Sequence, residues 1–81
     1  MIVNQRGLHA RAAAKFVRVA EDFDCQIQVV RDDQVVAGTS ILGLMLLGAG
    51  AGTELVLRAE GADAADAVAA LADLIERGFD E

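Results

Sequence analysis

Two stretches of helical periodicity, one near each end of the 81-residue chain, restrict the folds open to this sequence. The first runs from Ala10 to about Asp22, and the second follows Asp63, a predicted N-cap, and ends at Gly78. Each carries one apolar stripe. The first stripe contains Ala13, Phe16, Val17 and Ala20, and the second contains Ala64, Ala67, Val68, Leu71, Leu74 and Ile75.

Strand-like segments lie between these helices. Gln26 to Arg31 alternates polar and apolar residues, Asp32-Asp33 is a tight turn, and residues 34–37 return as the second arm of a hairpin. Further strands are predicted at Ile2-Val3 and at residues 54–58.

A short helix from Ile41 to Leu47, capped by Ser40 and ended by Gly48, completes the order β-α-β-β-α-β-α. This order predicts an α+β fold in a single domain spanning residues 1–81. Its helices should cover one face of a mostly antiparallel sheet. Phe79 is expected to fold back onto the core.

Charge is divided unevenly along the chain. The net charge of −6 argues against nucleic acid as the main partner. Residues 1–20 hold four basic residues and no acid, whereas residues 21–81 hold all thirteen acids and three basic residues. Arg11, Lys15 and Arg18 recur at helical spacing and form a basic stripe. Such a stripe suits an acidic partner surface or a phosphate.

The only histidine, His9, lies at the start of this stripe, where a glycine turn enters the first helix. Ser, Thr, Asp or Asn would be the usual N-cap, and the first N–H groups of a helix bind anions. Imidazole is a nucleophile at neutral pH, and Arg11 could contact a phosphate beside it. The residues alone leave two interpretations open: a phosphoryl acceptor, or a simple helix cap.

Several other classes of protein are disfavoured. One cysteine, Cys25, and one histidine predict no intrachain disulfide, no metal site and a reducing cytoplasm. No second carboxylate, serine or cysteine lies close to His9 in sequence, which disfavours a hydrolase, and no cofactor is expected. Residues 35–52 are uncharged but contain several glycines, so membrane insertion is not expected. The beginning of the chain lacks the pattern of a signal peptide.

Three motifs resemble one known family. Gly7-Leu8-His9-Ala10-Arg11 resembles the active-centre motif of HPr, the histidine-containing phosphocarrier family of the bacterial phosphotransferase system. Ser40-Ile41-Leu42-Gly43-Leu44-Met45-Leu46-Leu47-Gly48 resembles the regulatory serine segment of that family, and Glu60-Gly61-Ala62-Asp63 resembles its last strand-helix junction. The resemblance covers nearly the whole chain.

The resemblance implies an open-faced β-sandwich, with a four-stranded antiparallel sheet covered on one face by three helices. It implies that His9 accepts phosphate on Nδ1 from enzyme I, with Arg11 beside it, and passes the phosphate to a IIA domain. Such a protein is a phosphoryl carrier, expected to be monomeric, rather than a free-standing enzyme. Ala12 stands where the family usually has proline, and the chain starts later than is usual, so a shortened first strand is expected.

The segment after Ser40 has more large apolar residues than can be buried on one face of a short helix. Leu44 and Leu47 are expected to point inward, which leaves Ile41, Leu42 and Met45 exposed for docking of protein partners beside Lys15 and Arg18. Ser40 itself is predicted to be an N-cap. The family resemblance adds a second role, as a substrate of HPr kinase/phosphorylase.

Two alternatives remain open at this point. Residues 75–81 resemble the nitrogen-related regulatory branch of the family, whereas Thr39-Ser40 and the segment after it resemble the regulated sugar-transport form. A binding module that regulates a partner without transferring phosphate belongs to a different class. The presence of His9 and Arg11 argues against that class.

Overall fold

Three α-helices and three strands make up the fold of residues 1–4 and 6–80, which this computed structural model describes. In chain order these are α1 (Ala10–Ala20), β1 (Gln26–Arg31), β2 (Gln34–Ala37), α2 (Ile41–Leu46), β3 (Val56–Glu60) and α3 (Ala64–Glu76). One turn of 3-10 helix follows at Gly78–Asp80. Within these residues no helix has the length and apolar character needed to cross a membrane.

The sheet is antiparallel, with β1 between β2 and β3. Gln28 of β1 lies opposite Ala37 on one side and Arg58 on the other. Because successive side chains of a strand point to opposite faces, Ile27 and Val29 enter the core while Gln28 is exposed. The α+β fold with helices over one face of the sheet is therefore confirmed.

The expectation of four strands was wrong for the part of the chain that the structure describes, where the sheet has three. Ile2 donates its N–H to the Thr53 carbonyl at 2.8 Å and accepts from the Gly52 N–H at 2.8 Å. A strand pair needs successive residues to exchange such bonds. The segment opposite Ile2 cannot continue the pairing because Gly52, with φ of +87°, turns it out of the extended conformation.

The other boundaries agree closely with prediction, except in β3 and at the end of α1, which was expected at about Asp22 and lies at Ala20. The strand predicted at residues 54–58 begins two residues later, because its pairing with β1 runs from Val30–Val56 to Gln26–Glu60. The boundaries of β1 and β2 are as predicted, and α2 ends one residue earlier than expected. These small shifts move no residue of the candidate site to a different element.

The core is formed by the sheet face carrying Val29 together with the inner faces of the helices. Its largest fully buried side chains are those of Phe16, Phe79, Ile2, Leu44, Leu71 and Val29. Phe79 adopts a left-handed backbone conformation, with φ of +57°, that turns its ring back under α3. The prediction that Phe79 folds onto the core is confirmed, since its side chain is fully buried.

Asp63 joins the start of α3 to the turn that precedes β1. It occupies the N-cap position as predicted, but its carboxylate accepts the Asp24 N–H at 2.7 Å instead of an N–H of its own helix. Partial burial, then the negative charges of Asp63 and Asp24, raise the pKa of the neighbouring Cys25 thiol. Cys25 is therefore mainly protonated at neutral pH, and the thiolate is the reactive form.

We expect iodoacetamide to alkylate Cys25 severalfold more slowly than free cysteine at pH 8. Asp63→Asn keeps an oxygen acceptor for the Asp24 N–H but removes a charge, so alkylation should become faster. Asp66→Asn, in the first turn of the same helix, is the control and should leave the rate unchanged. Equal acceleration by both variants would contradict this electrostatic account.

Candidate functional site

The turn before α1 is held by the backbone and by one buried amide. The Gly7 N–H donates to the Asn4 carbonyl at 3.2 Å, and the buried Asn4 side-chain amide donates to the Gly7 carbonyl at 2.9 Å. Gly7 has φ of +63°, and a β-carbon there would meet the Ala49 carbonyl oxygen. The Leu8 N–H donates to that same Ala49 carbonyl at 3.0 Å. The turn is thus docked directly on the loop after α2.

His9 follows this turn as the N-cap of α1. Its backbone is extended, and its carbonyl accepts the Ala13 N–H at 2.9 Å, which starts the helix. The partly exposed imidazole accepts the Arg11 N–H on Nδ1 at 3.3 Å. Because an acceptor nitrogen carries a lone pair, this bond assigns the proton of the neutral ring to Nε2. The His9 side chain therefore both caps α1 and carries an acceptor nitrogen at the start of the helix.

The first turn of α1 is suited to an anion. The N–H groups of Ala10 and Ala12 lie outside the hydrogen-bond ladder of the helix, and the helix dipole adds positive potential there. This turn has no acidic residue, and Arg11 is exposed beside His9. Ala12 keeps the N–H that proline would lack, while its methyl group is fully buried.

The three residues of the basic stripe have different surroundings. Arg11 and Arg18 are exposed, and they are seven positions apart in the helix, which separates them by about 10 Å along the axis. Lys15 is half-buried, and its Nζ donates to the Phe79 carbonyl at 2.6 Å. Lys15 therefore joins α1 to the C-terminal turn and is less available to a partner than its neighbours in the stripe.

Ser40 and the helix it begins form the second predicted group of site residues. Ser40 Oγ accepts the Gly43 N–H at 2.9 Å, so the predicted N-cap is confirmed. Leu44 and Leu47 are buried, also as predicted. The remaining large side chains form an exposed surface, here termed the α2 patch, which consists of Ile41 (42% exposed), Leu42 (67%), Met45 (41%) and Leu46 (70%).

The structure brings these groups together because α1 packs against α2. His9 and Arg11 begin α1, and the loop after α2 supports the turn that presents His9. Sequence reasoning missed Leu46, although its spacing from Leu42 places it on the same helix face. It also missed the supporting role of Asn4, for which a turn-forming residue three positions before a glycine was the only local signal.

Removing the Ser40 hydroxyl should weaken the cap of α2. We expect Ser40→Ala to lower the free energy of unfolding by about 1 kcal/mol, measured by urea denaturation. Ser40→Thr keeps an oxygen acceptor for the Gly43 N–H and should recover most of the loss. A cost for the threonine variant as large as that for alanine would show that the hydroxyl does not act as the cap.

Comparison with known proteins agrees with this geometry. Residues 1–77 match the family model described as the PTS HPr component phosphorylation site. The chain is 52% identical over 81 residues to phosphocarrier protein HPr of Pseudomonas putida, an alignment that covers 99% of this chain and 90% of that relative. It is 40% identical over 80 residues to phosphocarrier protein NPr of Shewanella violacea, covering 99% and 88% respectively.

A solved structure shows the same arrangement of elements. The crystal structure of HPr-C-His from Thermoanaerobacter tengcongensis superposes with a TM-score of 0.93 and 49% identity, covering 99% of this chain and 90% of that one. Family match, sequence identity and fold agree over almost the full chain. This protein therefore belongs to the HPr family, the phosphocarriers of the phosphotransferase system.

Proposed function

We propose that His9 is the phosphoryl acceptor of this phosphocarrier, taking the group from enzyme I and passing it to a IIA domain. The observation that carries the proposal is the position of Nδ1, which faces the N–H of Arg11 at the start of α1. A nucleophilic lone pair thus lies next to backbone N–H groups that no helical carbonyl accepts. The backbone N–H groups that lie beside the unphosphorylated imidazole could therefore donate to the oxygens of a phosphate on it.

In the proposed transfer, the Nδ1 lone pair attacks phosphorus as the bond from phosphorus to the donor breaks. The 3.3 Å bond from the Arg11 N–H is long for a hydrogen bond and can be exchanged for one to a phosphate oxygen. The N–H groups of Ala10 and Ala12 and the Arg11 guanidinium are further donors. Transfer onward reverses these steps, breaking the N–P bond as the receiving nucleophile attacks.

Partner docking is assigned to the exposed surface beside His9. The α2 patch supplies apolar contacts, and Arg11 and Arg18 supply positive charge to an acidic partner. Met45 suits a surface that must fit more than one partner, as a carrier requires. Lys15 contributes charge to this surface, although its hydrogen bond to Phe79 gives it a structural role as well.

The test is incubation of the purified protein with phosphoenolpyruvate and enzyme I. We expect one acid-labile, alkali-stable phosphate per chain, located on His9 by mass spectrometry, and its transfer to a IIA domain on addition of that domain. Phosphate found elsewhere would overturn the assignment of His9. Failure to incorporate phosphate would favour the binding module without phosphotransfer.

Ser40 is proposed as a second, regulatory phosphorylation site, a substrate of HPr kinase/phosphorylase. Ser40 is a partly exposed residue at the start of α2, next to Ile41 of the patch. A phosphate there would add about two negative charges, which a helix N-terminus tolerates but an acidic partner would repel. Phosphorylation of Ser40 by the kinase should therefore slow phosphate transfer to His9, and an unchanged transfer rate would contradict the proposal.

The sugar-transport branch is supported by the higher identity to a relative named HPr than to one named NPr. Parallel incubations with the enzyme I of each branch distinguish the two, because the cognate enzyme should phosphorylate His9 faster. We further propose that the carrier is a monomer in the cytoplasm. Light scattering after gel filtration tests the oligomeric state, and a mass of two chains would contradict it.

A further inference from the structure

We propose that Arg31 is a positioning residue for His9, acting through the loop that follows α2. The inference rests on the proposed function of His9 and names a residue outside the docking surface. Arg31 is the last residue of β1. Its side chain is half-buried, and its Nη1 donates to the Leu47 carbonyl at 2.6 Å.

This contact gives the C-terminal end of α2 a hydrogen-bond donor and a positive charge. The last carbonyls of a helix lack partners within the helix, and its C-terminus attracts a positive charge. The last turn of α2 has no basic residue of its own, so Arg31 supplies the charge from the sheet. The next residue, Gly48, turns the chain with φ of +64°, and a β-carbon on it would lie 3.4 Å from Arg31 Nη1. The guanidinium thus binds Leu47 and lies beside Gly48, the two residues from which the loop begins.

The loop then supports the His9 turn directly. Ala49, two residues after the carbonyl that Arg31 holds, accepts the Leu8 N–H at 3.0 Å. The same Ala49 carbonyl occupies the space where a Gly7 side chain would be. Arg31 is therefore connected to the residue before His9 in three steps. It binds the Leu47 carbonyl, the chain continues from Leu47 to Ala49, and the Ala49 carbonyl accepts the Leu8 N–H.

Transfer of a phosphoryl group depends on the position of the attacking nitrogen, and a small displacement is costly. If Arg31 fixes the loop, removing the Arg31 guanidinium should let the hydrogen bond from the Leu8 N–H to the Ala49 carbonyl open more often. The position of His9 should then vary more. We expect the α2 patch to stay in place, because Ser40 caps the start of its helix and Leu44 anchors the helix in the core. We therefore expect kcat for acceptance from enzyme I to change more than KM.

Three variants test the proposal. Arg31→Met removes the donors and keeps the aliphatic stem, Arg31→Lys keeps one donor, and Arg58→Met is the control at an exposed arginine of β3. In Arg31→Met we expect amide hydrogen exchange at Leu8 to accelerate about tenfold relative to that at Val29. We expect kcat to fall about fivefold with KM within about twofold of the native value. Arg31→Lys should recover most of both effects.

The proposal is overturned if Arg31→Met leaves Leu8 exchange and kcat unchanged, if Arg58→Met reproduces both changes, or if Arg31→Lys recovers neither. A general loss of stability would accelerate exchange at Leu8 and Val29 together, and that result also counts against positioning. The exchange measurement needs no phosphate donor. If the native protein accepts no phosphate, the proposed function of His9 fails, while exchange at Leu8 still shows whether Arg31 holds the turn.

Discussion

His9→Ala is expected to reduce phosphate acceptance from enzyme I by more than about a thousandfold, because no other side chain supplies the attacking nitrogen. The backbone donors of the first turn and Arg11 remain, but they bind a phosphate without forming a bond to it. Acid-labile phosphate incorporation, followed over time with radiolabelled phosphoenolpyruvate, measures the loss.

A second variant separates chemistry from folding. His9→Asn replaces the ring by a preferred N-cap residue, so the free energy of unfolding should stay within about 1 kcal/mol of the native value or rise. Phosphate acceptance should still be lost, because an amide is not a comparable nucleophile. Ser40→Ala is the positive control and should accept phosphate. Acid-labile phosphate on either His9 variant would disprove the assignment.

Gly7→Ala is expected to give the largest loss of stability among the single substitutions considered. A left-handed backbone costs a residue with a β-carbon about 1–2 kcal/mol, and forcing atoms into a filled space adds about 1–3 kcal/mol. At Gly7 both apply, because φ is +63° and the added carbon would meet the Ala49 carbonyl and lie 2.7 Å from Gly50 Cα. We expect the free energy of unfolding to fall by about 2–5 kcal/mol.

The chain contains a matched control for this substitution. A β-carbon on Gly50 would have no atom within 4 Å, so Gly50→Ala should leave stability unchanged or raise it slightly. Denaturant unfolding of both variants measures the difference. Folded Gly7→Ala protein should also accept phosphate more slowly, because Leu8 and His9 follow the displaced turn. Equal stability of the two alanine variants would show that the turn can move away from the loop at little cost.

Local patterns were sufficient to predict most of the secondary structure. The ends of β1 and β2 lie as predicted because alternating apolar residues and the Asp32-Asp33 turn act over neighbouring positions. The same holds for Ser40, whose cap contact is only three residues away. The start of β3 was two residues off, since pairing with β1 determines it and this pairing joins segments about thirty residues apart.

The strand count was wrong for a related reason. Ile2-Val3 has the residues of a strand, but a strand exists only if an extended partner lies beside it. Here the segment opposite Ile2 bends at Gly52, and two hydrogen bonds are made without a ladder. The residue types therefore predicted the secondary structure of Ile2 incorrectly, although its side chain is buried in the core.

Local sequence patterns were sufficient to single out the residues proposed to carry chemistry. These are one histidine at a helix N-terminus, the basic residues after it, and a short helix with more large apolar residues than its buried face holds. These are properties of near neighbours along the chain. The contacts that hold these residues in place join segments far apart in the chain. Lys15 binds the Phe79 carbonyl 64 positions away, and Arg31 binds the Leu47 carbonyl 16 positions away. Such contacts form only when the chain is packed, because their geometry depends on segments that no local pattern relates.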